Sequence, residues 1–267
     1  MKNFIWIASY PKSGNTMLRL FLASYFFTID GKIENFDSLK HIISLNRESA
    51  LFDLKNHVKI LESLNKNPSL ISEYWEKIQL NISMKNKNKI YFIKTHNANI
   101  KYKGNEFTNE KFTKCFFYIV RDPRSVLISM MSHYNLKSYE ESKKYLMSNN
   151  AMTKIHKGLL PEIMLSWKAN YLSWKNFLIN NDNLGIIIKY EDMVLNPEST
   201  FRNIINFICE KNRQKVDEKK FNNSLKSIDF VKLKKIERTM HFPESAHSDQ
   251  KFFRKGIIDE WKTVLPI

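Results

Sequence analysis

Cysteine is scarce in this 267-residue chain, with only Cys115 and Cys209. Both sit in apolar stretches, and neither belongs to a C-x-x-C or other metal-ligand spacing. That excludes a disulfide scaffold and a zinc module, and it fits buried thiols in a reducing, cytoplasmic compartment. Glycine and proline are also few, six and seven, while aromatics reach 13%. The balance excludes a disordered chain, and no internal repeat or low-complexity linker is present. No window of about 18 apolar residues occurs, so no transmembrane helix is expected. Arg19 interrupts the longest candidate, and Lys2 precedes too short an apolar run for a secretory leader. Acidic residues number 27 against 43 Lys and Arg, a net charge of +16. Such a surplus fits solvated basic faces and also draws in anionic ligands.

The most informative stretch is Phe4 to Phe27. Phe4-Ile5-Trp6-Ile7-Ala8 has the length of a buried strand. Ser9-Tyr10-Pro11-Lys12-Ser13-Gly14 reads as a turn, and Met17, Leu18, Phe21, Leu22 and Tyr25 then repeat at helical spacing. Strand, tight turn and helix bring backbone N–H groups and a helix N-terminus to one point. That point attracts anions, because first-turn N–H groups lack intrahelical partners and the helix dipole is positive there. Lys12 adds a full charge; Ser13, Asn15 and Thr16 add side-chain donors. Set against the nucleotide-triphosphate loop G-x-x-x-x-G-K-[ST], aligned on Gly14, the first Gly becomes Ser9 and the Lys becomes Asn15. Only Thr16 keeps its place. The lysine that grips a triphosphate is missing, which argues against kinase or ATPase chemistry.

Three further strands are expected. Ile90 to Ile93 ends in Lys94-Thr95-His96, Cys115 to Val120 ends in Arg121-Asp122-Pro123, and Gly185 to Lys189 ends in Tyr190-Glu191-Asp192. In open α/β sheets, ligands sit beyond the carboxyl ends of strands. An imidazole there, titrating ordinarily at about 6.5, suits proton removal near neutrality. A lone histidine at a strand end is more often a structural hydrogen-bonder, so His96 by itself decides nothing. A guanidinium at the Arg121 position can grip a phosphate in two-pronged fashion; its alternative is a structural ion pair. Helices are expected over Asp53 to Leu64, Pro68 to Leu80, Glu162 to Asn180 and Ser199 to Cys209, the third with a core stripe of Trp167, Tyr171 and Trp174. Residues 135–160 read equally as an amphipathic cover or a surface insertion. Glu191 and Asp192 read as structural hydrogen-bonders. The fold class is α/β: one domain over 1–267, with a central parallel sheet of four or five strands and helices on both faces.

Tyr10-Pro11-Lys12-Ser13-Gly14-Asn15-Thr16 resembles the phosphosulfate-binding loop of sulfotransferases that use 3'-phosphoadenylyl sulfate (PAPS). Arg121-Asp122-Pro123-Arg124-Ser125-Val126 with Ser129 resembles that family's 3'-phosphate segment. Lys94-Thr95-His96 resembles its catalytic strand end, and Phe253-Arg254-Lys255-Gly256 with Trp261 its C-terminal R-K-G segment. The four segments occur in the family's order and span nearly the whole chain. Three departures stand out: Asn97-Ala98 where the family usually has Leu-Pro, Met17 where it has an adenine-packing aromatic, and Asp259 in place of a second Gly.

The resemblance implies transfer of a sulfonate group from PAPS to a hydroxyl or amine, releasing 3',5'-ADP. His96 would act as general base, with Lys12 and Lys94 stabilising developing negative charge. Ser13, Gly14, Asn15 and Thr16 with Lys12 would hold the 5'-phosphosulfate. Arg121, Ser129, Arg254, Lys255 and Gly256 would hold the 3'-phosphate, and Met17, Tyr190, Phe230 and Leu233 would line the base. No metal is called for, since lysines and backbone donors do the neutralising. The acceptor would be a small molecule, lipid or carbohydrate, shaped for by residues 28–89 and 135–161, where no motif speaks; oligomeric state is open. A kinase is the second reading. A basic nucleic-acid-binding module is the third, and neither a helix-turn-helix, a zinc finger nor an RNP pattern supports it.

Overall fold

A computed structural model describes residues 2–240, 242, 252–253 and 256–265. Its strands are β1 (Phe4–Ser9), β2 (Ile42–Ser44), β3 (Tyr91–Thr95), β4 (Lys101–Tyr102), β5 (Asn105–Glu106), β6 (Thr113–Val120) and β7 (Gly185–Lys189). The helices are α1 (Asn15–Phe27), α2 (His57–Lys66), α3 (Trp75–Lys85), α4 (Pro123–Tyr134), α5 (Tyr139–Met147), α6 (Trp167–Ile179), α7 (Tyr190–Leu195), α8 (Pro197–Asn212), α9 (Glu218–Ser227), α10 (Phe230–Thr239) and α11 (Trp261–Val264). This is an α/β fold with a five-stranded parallel sheet, ordered β2-β3-β1-β6-β7 and flanked by helices. The central strand β1 is buried along its whole length, as an apolar run in a parallel sheet must be. It pairs parallel with β3, Ile7 opposite Lys94 and Ala8 opposite Thr95, and with β6, Ala8 opposite Tyr118.

The chain divides into two compact units. The first comprises Met1–Pro11, Ile43–Val120 and Lys143–Ile187, and carries most of the sheet. Its core is aromatic: Trp6, Trp75, Phe107, Phe116 and Trp174 are fully buried together. Their rings meet at tilted or edge-on angles, Trp75 and Phe107 at 5.3 Å and Phe116 and Trp174 at 5.2 Å between centroids. Two of the three buried indole N–H groups find partners, Trp6 donating to Thr113 Oγ1 at 3.1 Å and Trp174 to the Asn97 carbonyl at 3.0 Å, whereas Trp75 Nε1 has none among the described residues. The expected aromatic stripe therefore lies in the core at Trp174.

The second unit comprises Lys12–Ile42, Arg121–Ser142 and Ile188–Ile267. Here α1 packs through Phe21 against Phe201 of α8, at 4.4 Å, and Phe221 of α9, at 5.9 Å. The Tyr25 hydroxyl accepts the N–H of Asp217 at 2.8 Å, and burial pushes its pKa up to about 12. Helix α4 begins as its sequence dictates: Pro123 opens it, and Asp122 accepts the Arg124 N–H at 2.8 Å.

Four expectations need correction. The helix expected from Glu162 begins only at Trp167, because Leu165 has a left-handed backbone, φ 60°, and Ser166 caps the helix by accepting the Ala169 N–H. Helix α2 starts at His57 rather than Asp53, after Asn56 at φ 63°. Residues Pro68–Tyr74 form a 3-10 helix before α3 takes over, the Asn67 side chain accepting the Ser69 N–H. Strand β2, only three residues long, lies inside a stretch that reads as mostly helical.

Candidate active site

In the second unit, the loop after β1 takes two left-handed backbones, Lys12 at φ 64° and Gly14 at φ 99°. Only glycine adopts the second without strain, and it also has no room for more: a Cβ on Gly14 would run into the Tyr190 ring. Gly14 is the residue before α1 and, lacking a side chain, gives that helix no side-chain cap. The Ser13 side chain is fully buried, and its Oγ has no hydrogen-bond partner among the described residues. A buried hydroxyl with no partner among the described residues, beside a helix start that Gly14 cannot cap, is an arrangement that could receive an anion. Thr16 Oγ1 accepts from Arg19 Nη2 at 3.3 Å. Asn15 is buried and Met17 half-buried on α1.

Arg121 comes to the same loop. Its Nη1 donates to the Lys12 carbonyl at 3.0 Å, and its guanidinium carbon lies 4.3 Å from the centre of the Tyr190 ring. Tyr190 thus lies against Gly14 and also carries the Arg121 guanidinium over its ring. Burial raises its phenol pKa, the nearby Arg121 charge only partly offsetting this. The Asp122 N–H donates to Glu191 Oε1 at 3.1 Å, the structural role expected of Glu191. Burial pushes the Asp122 carboxyl up, but the Arg124 guanidinium and the backbone N–H groups of Arg124 and Ser125 together hold it below the usual range. Arg124 also stacks on Trp261 at 3.4 Å. Lys12 Nζ lies 4.6 Å from the Phe252 ring centroid.

The other expected ligands are placed less tellingly. Ser129 is half-buried midway along α4. Phe230 opens α10 and touches the position of Gly256, whereas Leu233 is 2% exposed, in the packed interior. Arg254 and Lys255 lie outside the described residues.

In the first unit, β3 delivers Lys94, half-buried, and Thr95, fully buried, and His96 follows directly. His96 Nδ1 is 2.7 Å from the Ser9 carbonyl. A carbonyl oxygen only accepts, so Nδ1 carries a proton, which leaves Nε2 as the nitrogen that can act as a base. The backbone of His96 is clamped on both sides. Its N–H donates to Glu162 Oε1 at 2.7 Å, and its carbonyl accepts Asn170 Nδ2 at 3.0 Å. Asn170, fully buried, also accepts the Tyr118 hydroxyl at 2.8 Å, and burial pushes that phenol far above its usual pKa, so it stays a donor.

Asn97, where Leu is usual, is 3% exposed and fully employed: Oδ1 accepts the Ile163 N–H at 2.8 Å and Nδ2 donates to Thr95 Oγ1 at 3.2 Å. Ala98 N–H reaches the Ile163 carbonyl at 2.9 Å. These bonds tie the strand end to residues 162–163. Glu162 and Asn170 are the supports that sequence reasoning missed; the signal available was a Glu directly after a Pro in an apolar stretch.

The family model described as sulfotransferase domain matches residues 2–266. A flavonol 3-sulfotransferase of Flaveria bidentis is 27% identical over 97% of this chain and 76% of its own length. Mouse sulfotransferase SULT7A1, solved with PAP, superposes with TM-score 0.59 at 19% identity, covering 99% of this chain and 78% of that one. A retinol dehydratase solved with androsterone and the inactive cofactor PAP gives 0.61 at 16%, covering 100% and 77%. At these identities the two structures show the shared fold. Among the described residues, no helix is long and apolar enough to cross a membrane.

Proposed function

This chain belongs to the sulfotransferase domain family and is a sulfotransferase by that membership, and we propose that it moves a sulfonate group from PAPS to a hydroxyl or amine of a small acceptor. The observation that carries this reading is the arrival of Arg121 at the Lys12–Thr16 loop, its Nη1 on the Lys12 carbonyl. A cationic fork beside a helix-start anion cradle suits a ligand with two separated phosphate groups. The buried Ser13 hydroxyl, with no partner among the described residues, supplies a donor of the right kind. That relatives solved with PAP share the fold supports the same reading.

When bound, PAPS would supply an activated sulfonate on a phosphate leaving group. This chain's residues would do the rest. Ser13, Thr16, the loop N–H groups and Lys12 would hold the 5' side; Arg121 and Ser129, with Arg254, Lys255 and Gly256, would hold the 3'-phosphate. Met17, Tyr190, Phe230 and Leu233 would cover the base, although Tyr190 also has the packing duty described above. His96 Nε2 would take the acceptor proton, while Nδ1–H stays on the Ser9 carbonyl. Lys94 and Lys12 would stabilise negative charge as it builds up in transfer. No metal step is needed in this scheme. The chain would act as one domain, and its two unbridged, buried cysteines suit a cytoplasmic setting, which cell fractionation would check.

The acceptor class follows the relatives in outline only: a flavonol enzyme is among them, so phenolic hydroxyls are the first to try. The test is titration calorimetry with 3',5'-ADP against ATP-Mg, followed by incubation with labelled PAPS and a panel of phenols and mass spectrometry of the products. Saturable 3',5'-ADP binding and a sulfonated phenol are expected; binding of ATP-Mg alone would replace this reading with a kinase.

A further inference from the structure

Glu162 is 3% exposed, a depth at which carboxylates are rarely found without partners. Its two oxygens do separate work. Oε1 accepts the His96 N–H at 2.7 Å and lies 3.4 Å from Thr95 Oγ1, while Oε2 accepts Asn46 Nδ2 at 3.1 Å. Asn46, 8% exposed, is fixed in turn: its Oδ1 accepts the Ser44 hydroxyl and its carbonyl accepts the Leu160 N–H at 2.5 Å. The main chain at Glu162 is equally tied, its N–H donating to Thr153 Oγ1 at 2.7 Å and its carbonyl accepting the Thr153 N–H at 3.0 Å.

A charge this deep costs stability unless it is paired or hydrogen-bonded. Oε1 is the oxygen that faces the end of β3, while Oε2 and the main chain anchor the residue to Asn46 and Thr153. Five residues on, the chain enters α6, whose Asn170 holds the His96 carbonyl. A single segment, 162–170, thereby grips both the N–H and the C=O of the one residue whose ring orientation matters. Small misplacements of a reacting group are costly, so such a grip has a catalytic consequence.

We infer that Glu162 is a positioning residue for His96: its Oε1 holds the His96 N–H so that the ring's Nδ1–H meets the Ser9 carbonyl and Nε2 is left as the ring's basic nitrogen. Its catalytic meaning rests on the sulfotransferase reading; its structural half does not.

The experiment replaces Glu162 in the full chain by Ala, Asp and Gln. Nitrogen NMR of the histidine ring reports which nitrogen carries the proton, and the His96 amide proton reports its acceptor. Steady-state turnover uses PAPS and 4-nitrophenol. Wild type is expected to show the Nδ1–H form and a downfield His96 amide proton. Glu162→Ala should lose both signatures and drop kcat by roughly 10- to 100-fold with KM for PAPS unchanged. Glu162→Gln keeps an acceptor oxygen and should recover most of kcat and the Nδ1–H form. A folded Glu162→Ala protein with wild-type ring signals and kcat overturns the inference. If that variant does not fold, Glu162→Asp decides, because its shorter side chain withdraws the oxygen while keeping the charge. Lost Nδ1–H character supports the inference; wild-type signals overturn it. Failure of wild type to bind 3',5'-ADP or consume PAPS would remove the sulfotransferase reading and leave the ring measurements standing.

Discussion

Around residues 12–17 most polar groups come from consecutive residues and from main chain, a left-handed Lys12, a left-handed Gly14, a buried Ser13 hydroxyl and the start of α1, with Arg121 joining them from far along the chain. Around His96 the polar groups come from far along the chain: Ser9, Glu162 and Asn170. The first region is local and reads as a motif. The second is assembled by long-range hydrogen bonds, and its motif names only the residue being held. A local anion cradle tolerates change poorly at its backbone positions. A supported side chain tolerates change poorly at its supports.

The largest effect should come at the held residue itself. His96→Ala is expected to lower turnover of PAPS with 4-nitrophenol by at least about 100-fold, the usual scale for losing a general base. Calorimetric 3',5'-ADP binding should be unchanged, because the anion loop is built separately. Equal turnover in the variant would remove His96 from the mechanism and with it the contrast between the two regions.

Gly14→Ala tests the local side. It forces an alanine to φ 99° and drives a Cβ into Tyr190. A cost of about 1–3 kcal/mol is expected in urea unfolding, together with loss of 3',5'-ADP binding, since the N–H groups of α1 move with the turn. Unchanged binding would mean that the loop geometry is not what recognises the anion.

Arg121→Lys sharpens the comparison further. A lysine keeps the charge but cannot both donate to the Lys12 carbonyl and lie flat on Tyr190. The expected loss of 3',5'-ADP affinity is roughly tenfold or more. Full affinity in the lysine variant would show that only charge, not the fork, is required.

The smallest effect is at Asp122→Asn. Asparagine still caps α4, so only the charge paired with Arg124 is lost. Because the Asp122 carboxyl titrates below its ordinary range when folded, its charge stabilises the fold above the unfolded carboxylate range, near pH 4, and that contribution fades as pH falls through the lower folded value. Urea midpoints measured from pH 6 to pH 3 should therefore fall more steeply for wild type than for the variant. Arg124 is half exposed, so the difference is small.

Much of the fold was legible because its signals are local. Four of the five main-sheet strands are apolar runs ending in polar turns, and β1, β3, β6 and β7 lie within about two residues of where those runs place them. Strand β2 was not, since three residues between helical patterns carry no period. Nor was the start of α6: a left-handed Leu165 has no sequence signature, so apolar spacing from Glu162 onward imitates a helix that the backbone does not form.

The sequence by itself determined the strand-turn-helix at residues 4–27, the strand ends and hence the chemistry to look for, because residue type and spacing of a few neighbours set local backbone shape and charge. Only the tertiary structure decided that Tyr190 wedges Gly14 and carries Arg121, that Asn97 is tied into the fold, and that a buried Glu162 holds His96. Those are contacts between residues tens of positions apart. Their existence depends on which buried donors and acceptors the packed core leaves facing one another, and no local pattern records that.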